Sequence, residues 1–142
     1  MATTSPSPDQ SVETIVQRLF LGWHDMERVE DLSQDEFDSL PFGAIQLDRA
    51  GRIVAYNETE GRIANRDPRA VIGKSFFEEV APCTNVQEFA GRFRQGVESE
   101  ILNEVFPFTF RFPHGTLEVW IRLYYSSNSR TAWVFVTQRD ED

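Results

Sequence analysis

The chain has 142 residues, enough for one packed domain and too few for two separate cores. Hydrophobic residues make up 40% of it, with twelve phenylalanines among them, which excludes a disordered chain. The formal net charge is −9, and residues 1 to 40 hold nine carboxylates against Arg18 and Arg28, a net of −7 that leaves −2 for the rest; this balance excludes nucleic acid and anionic membranes as partners, because both are held mainly through Lys and Arg.

The start MATTSPSPDQ has neither a basic segment nor an apolar run, so no secretory signal is expected, and no stretch approaches the length of a membrane helix. Cys83 is the single cysteine, which rules out an internal disulfide and points to a cytoplasmic protein. The sequon Asn57-Glu58-Thr59 is then incidental.

Ser11 is placed to cap a helix in which Val12, Ile15, Val16, Leu19 and Phe20 share a face. Ser33 with Glu36 forms a capping box for a second, short helix, and Leu32 and Phe37 sit at the spacing of a hydrophobic staple. Together they give an acidic N-terminal cap over residues 1–40, too small to bury its own apolar faces and expected to dock, weakly enough to be switched, on the rest of the domain. Its charge predicts docking that depends on salt.

From Pro41 the period becomes two. Ala44 to Asp48, a turn at Gly51 and Ile53 to Tyr56 read as a hairpin. Three short helices are signalled next: Asn57 caps one, Asp67-Pro68 opens another, and Ser75 with Glu78 opens a third. Pro82 is expected to end regular structure just before Cys83, and Thr84 and Asn85 to begin a longer helix through about Val97. Three alternating strands complete the chain, over Val105 to Phe112, Leu117 to Tyr125 and Thr131 to Thr137, with Pro107 demoting the first to a sheet edge. The expected fold is α+β, a single antiparallel five-stranded sheet flanked by helices, with the domain at 41–138 and an acidic tail at 139–142.

The chemistry gathers between Tyr56 and Cys83, where a phenol, a carboxyl and the thiol share one short arc. A lone cysteine is most often a small buried hydrophobe, but a position ahead of a capped helix would favour the thiolate. A nucleophilic enzyme would also need a base, and neither His24 nor His114 has the context of a triad partner or of a metal site. Glu60 stands three residues after Asn57, the spacing of a capping glutamate; buried instead, it would stay protonated and donate a hydrogen bond to an anion. Tyr56 is by default an ordinary half-buried aromatic with a wet hydroxyl, Phe110 a core aromatic, and Arg66 an exposed charge in a turn. The Gly91 to Gly96 spacing of a phosphate loop is voided by Val97 where a lysine should stand.

These motifs carry a resemblance. PFGAIQLD at Pro41 to Asp48, Tyr-Asn-x-x-Glu-Gly at Tyr56 to Gly61, Arg-Asp-Pro at Arg66 to Pro68, VIGKSFF, and VAPCT at Val80 to Thr84 make the chain, over about Leu40 to Val136, closely similar to the photoactive yellow protein family of blue-light receptors with a PAS fold. The resemblance implies p-coumaric acid bound as a thioester at Cys83, with Tyr56 and protonated Glu60 donating to its phenolate. It implies Arg66 as a lid, the backbone amide of Cys83 at the thioester carbonyl, and Ile45, Phe76, Val80, Ala81, Pro82, Thr84 and Phe110 as packing around the chromophore. It further implies isomerisation in light, proton transfer from Glu60, and release of the N-terminal cap. The chain departs from the family in three places: Ala64 replaces a threonine that donates to the pocket tyrosine, Phe108 replaces a gating tyrosine, and His114 aligns with a methionine linked to recovery.

The expected protein is thus a cytoplasmic, monomeric photoreceptor with no catalytic activity and a downstream signalling protein as its partner. The alternatives are a chromophore-free PAS module that docks a partner and, more remotely, a cysteine hydrolase or thiol-redox protein.

Overall fold

The structure, a computed structural model, describes residues 28–139. Its centre is one antiparallel sheet of five strands: β1 (Gly43–Leu47), β2 (Ile53–Tyr56), β3 (Asn103–Phe112), β4 (Gly115–Ser126) and β5 (Thr131–Gln138), in the order β2-β1-β5-β4-β3. The last strand in sequence is central, and its run from Ala132 to Val136 is buried on both faces. The Gly51 turn of the first hairpin and the Gly115 turn of the second both use left-handed backbone, φ +88° and +140°, which glycine adopts without strain. Pro107 lies in β3 at the sheet edge, where its missing N–H costs no ladder hydrogen bond.

Alternation in the strands divides the buried residues into two clusters. Ile45, Ile53, Phe106, Phe110, Ile121 and Val134 face the helical segments, where Phe76, Phe77, Phe89 and Phe93 complete the main core. Ala44, Trp133 and Phe135 face the other way and pack with Val29, Phe37 and Phe42 of the segment that precedes β1. The expected capping box forms at α1 (Gln34–Asp38): Glu36 N–H donates to Ser33 Oγ and Ser33 N–H to the Glu36 carboxylate. Leu32 packs against the second cluster, to which Phe37 belongs, in keeping with the staple spacing. The helix expected after Ser11 lies outside the described residues.

Asn57 caps α2 (Glu58–Ala64), and Asp67 with Pro68 opens α3 (Pro68–Val71), both as read from sequence. The cap read at Ser75 also forms, ahead of Phe76–Val80, and one expectation in this stretch, at Pro82, needs correction. Ser75 accepts from Glu78 N–H, and the glutamate that reaches back to the Ser75 N–H is Glu79, because Phe76–Val80 is a wide π-type turn with an extra residue per turn. Pro82 does not end regular structure: it is the first residue of a 3-10 turn, Pro82–Thr84.

No helix begins at Thr84 or Asn85 either. The Thr84 hydroxyl turns back to the Ala81 carbonyl at 2.6 Å, Asn85 accepts from Arg94, and Val86 is extended, so helical structure starts at Gln87 as a π-type turn and continues as α4 (Arg92–Ser99). Polar side chains that resembled caps are used for other contacts. Among the described residues no helix is long and apolar enough to cross a membrane.

Candidate functional site

The site is built where β2 runs into α2. Tyr56 ends β2 opposite Ile45 of β1, and four residues later Glu60 lies on the inward face of the first turn of α2. Ala64 follows one turn on and is also buried, as the i, i+4 spacing of a helix requires.

Asn57 fixes this junction. Its side-chain oxygen accepts from Glu60 N–H and Ala44 N–H, both at 2.9 Å, while its amide donates to the carbonyls of Phe37 and Phe42. One fully buried side chain therefore ties α1, β1 and α2 together. The Asn57 N–H is taken by the Ala44 carbonyl at 3.0 Å. Glu60 consequently has no cap to complete, and the capping reading of its carboxyl fails.

The Glu60 side chain turns inward instead. It is 2% exposed, burial pushes its pKa up to about 8, and its Oε1 has no hydrogen-bond partner. At neutral pH it holds its proton, which makes it a donor. Burial also pushes the Tyr56 phenol above its usual range, as does the charge Glu60 carries when ionised, against the opposing effect of Arg66. The two groups thus share one electrostatic environment, poor in compensating charge and suited to giving hydrogen bonds rather than to ionising.

Arg66 is exposed and donates to the Val80 carbonyl at 2.9 Å, which pins the α2–α3 turn to the segment ahead of Cys83. The turn folds back because residue 61 is glycine: a Cβ there would stand 2.7 Å from the Arg66 carbonyl oxygen.

Cys83 sits in the middle of the Pro82–Thr84 turn, not at a helix start, so the premise of the dipole argument does not hold. Its Sγ accepts from Arg111 N–H of β3 at 3.4 Å, and a groove of about 390 Å³ beside it is lined by Val86, Pro107, Phe108 and Arg111. Tyr56, Ile45, Phe76, Val80, Ala81 and Phe110 belong to one buried cluster, with Cys83 and Phe108 packed at its margin. Thr84 is buried beside them, whereas Pro82 and His114 are exposed, the latter stacked on Phe112 at 5.0 Å between ring centroids. Reading the sequence missed the wider reach of Asn57, whose capping role was visible but whose bonds to Phe37 and Phe42 depend on how distant segments meet.

The sheet order, the short helices on one face and a buried acid between them define a PAS-fold protein, and the sequence profile described as PAS fold matches residues 34–140. The chain is 39% identical over 122 residues to the photoactive yellow protein of Rhodothalassium salexigens, covering 85% of this chain and 98% of that one. It is 40% identical to that of Halochromatium salexigens, covering 81% and 93%. Among solved structures, the photoactive yellow protein domain of a sensor histidine kinase from Rhodospirillum centenum superposes with a TM-score of 0.76 at 44% identity, covering 79% of this chain and 98% of that domain. The chain belongs to the photoactive yellow protein family.

Proposed function

We propose that the protein is a blue-light photoreceptor that carries p-coumaric acid as a thioester on Cys83, with Tyr56 and protonated Glu60 donating to its phenolate oxygen. The observation that carries this reading is Glu60, a carboxyl 2% exposed whose Oε1 has no partner. Buried polar atoms are almost always paired, so an orphan aimed into the interior points to a group that belongs there. The donor set fits a phenolate: a phenol has an ordinary pKa of about 10 and stays ionised at neutral pH only where strong donors favour the anion. The groove at Cys83 offers the thiol to an activated ester from outside.

The bound group would supply absorption of blue light and isomerisation about its double bond. The chain supplies the rest. Tyr56 and Glu60 hold the anion, Arg66 closes the turn over Val80, and Phe76 and Phe110 keep water out. Loss of the Glu60 proton leaves a carboxylate where burial is nearly complete, a state that is costly without a new partner and favours rearrangement. Asn57 bonds both Glu60 N–H and the Phe37 carbonyl, so a rearranging α2 pulls directly on the cap segment.

Release of that segment is the output in this reading, received by a downstream signalling protein; a cytoplasmic monomer without catalytic activity suffices for it. The Rhodospirillum relative, a domain of a sensor kinase by its description, supports a sensory role. The test is to supply activated p-coumarate to the purified chain. Yellow colour and a mass increase of one p-coumaroyl group, both lost in Cys83→Ala, are expected; no covalent adduct by mass would overturn the reading.

A further inference from the structure

We propose that Gly43 is a positioning residue for Glu60: the missing side chain at the start of β1 is the slot that receives and aims the carboxyl. Gly43 is buried and pairs with Val136 in the sheet, and its backbone is not in the left-handed region, where Gly51, Gly73 and Gly115 lie. Conformation therefore does not call for glycine here, and glycine inside a strand is itself unfavourable.

Space does call for it. A Cβ at position 43 would overlap Glu60 Oε1 and stand 3.1 Å from its Cδ and 3.2 Å from its Cβ, and these are the three atoms nearest to it. The nearest conflict is thus with the Glu60 side chain, and with its movable end first. The same Oε1 is the buried atom without a hydrogen-bond partner, so the absent methyl of Gly43 is what admits it. An alanine at 43 leaves the sheet ladder intact, since it keeps the backbone N–H and carbonyl, and turns the acid out of the slot.

The functional meaning of this slot rests on the photoreceptor reading, but the slot is tested on protein without chromophore. The carboxylic C=O band of Glu60, assigned by its loss in Glu60→Gln, is followed by infrared titration. In the wild-type protein the midpoint is expected near 8. In Gly43→Ala it should fall by at least one pH unit, a tenfold rise in the acid constant, because the displaced carboxyl regains water; an unchanged midpoint overturns the proposal. Should Gly43→Ala fold poorly, the double variant Gly43→Ala/Glu60→Ala decides. A melting temperature equal to that of Glu60→Ala supports the slot, and an equal deficit in both backgrounds overturns it. Failure of chromophore attachment at Cys83 would refute the photoreceptor reading and leave this titration unaffected.

Discussion

Glu30 accepts the indole N–H of Trp133 at 2.9 Å, a bond between the 3-10 turn Val29–Asp31 and the central strand of the sheet. The same carboxylate accepts from Ser129 and Asn128 in the β4–β5 turn. Partial burial by itself raises its pKa, but the donors from Ser129, Trp133 and Asn128 outweigh that and hold it below the ordinary carboxylate range. Glu30 therefore stays ionised and pins the cap segment to the sheet.

Glu30→Ala removes the acceptor of three donors. The change should cost about 1–3 kcal/mol, the range for breaking bonds to a charged and partly buried group. Faster amide exchange across Gln34–Asp38 and a shift in Trp133 fluorescence are the expected readouts, with α4 exchange unchanged.

Glu60 gives stability a definite pH dependence. Its folded pKa is raised to about 8 from an ordinary 4.5, so between those values the folded chain holds a proton that the unfolded chain releases. Stability of the chromophore-free protein is then highest below about pH 4.5 as far as this group is concerned, falls as pH rises, and levels off above about 8. The full span is up to roughly 5 kcal/mol at about 1.4 kcal/mol per pH unit. Urea unfolding of wild type against Glu60→Gln at pH 6 to 9, in ~1-unit steps, should show the slope in the first and its loss in the second.

Ala64 lies one helical turn beyond Glu60 and is 7% exposed, so a hydroxyl there would enter the site. If the photoreceptor reading holds, Ala64→Thr is expected to lower the pKa of the p-coumaroyl group on Cys83 by about one unit, a tenfold gain of the anion. It should also cost about 1–3 kcal/mol, since two heavy atoms are added to a filled interior. Visible-absorbance titration and thermal melting read the two effects separately.

Phe89 is fully buried and packs against Phe76, Phe77, Phe106 and Phe108, with ring centroids 5.1 to 5.9 Å away. Phe89→Ala should lose about 3–5 kcal/mol in urea unfolding, the usual cost of emptying an aromatic core site. Ile101→Ala, at a residue 79% exposed, should stay within about 0.5 kcal/mol of wild type.

The strands were legible because side-chain alternation is local: Val119, Ile121 and Leu123 face one cluster while Trp120 and Tyr124 face the other, as their spacing predicts. Caps at Ser33, Asn57, Asp67 and Ser75 were legible for the same reason. The start of the Gln87 helix was not, because Thr84 and Asn85 have the composition of caps but bond to Ala81 and Arg94. Glu60 was ambiguous in sequence, since the capping and the buried readings require the same residue at the same spacing.

By itself the sequence determined five strands, four of the caps and the edge position of Pro107, and it holds a phenol, an acid and a thiol in one short arc, all properties of residues and their near neighbours. Tertiary structure decided what these groups face. The Ala44 carbonyl takes the Asn57 N–H and frees Glu60 from capping, the space left by Gly43 admits its carboxyl, and burial keeps that carboxyl protonated. Such outcomes depend on distant segments meeting and on water leaving, and no spacing along the chain encodes either.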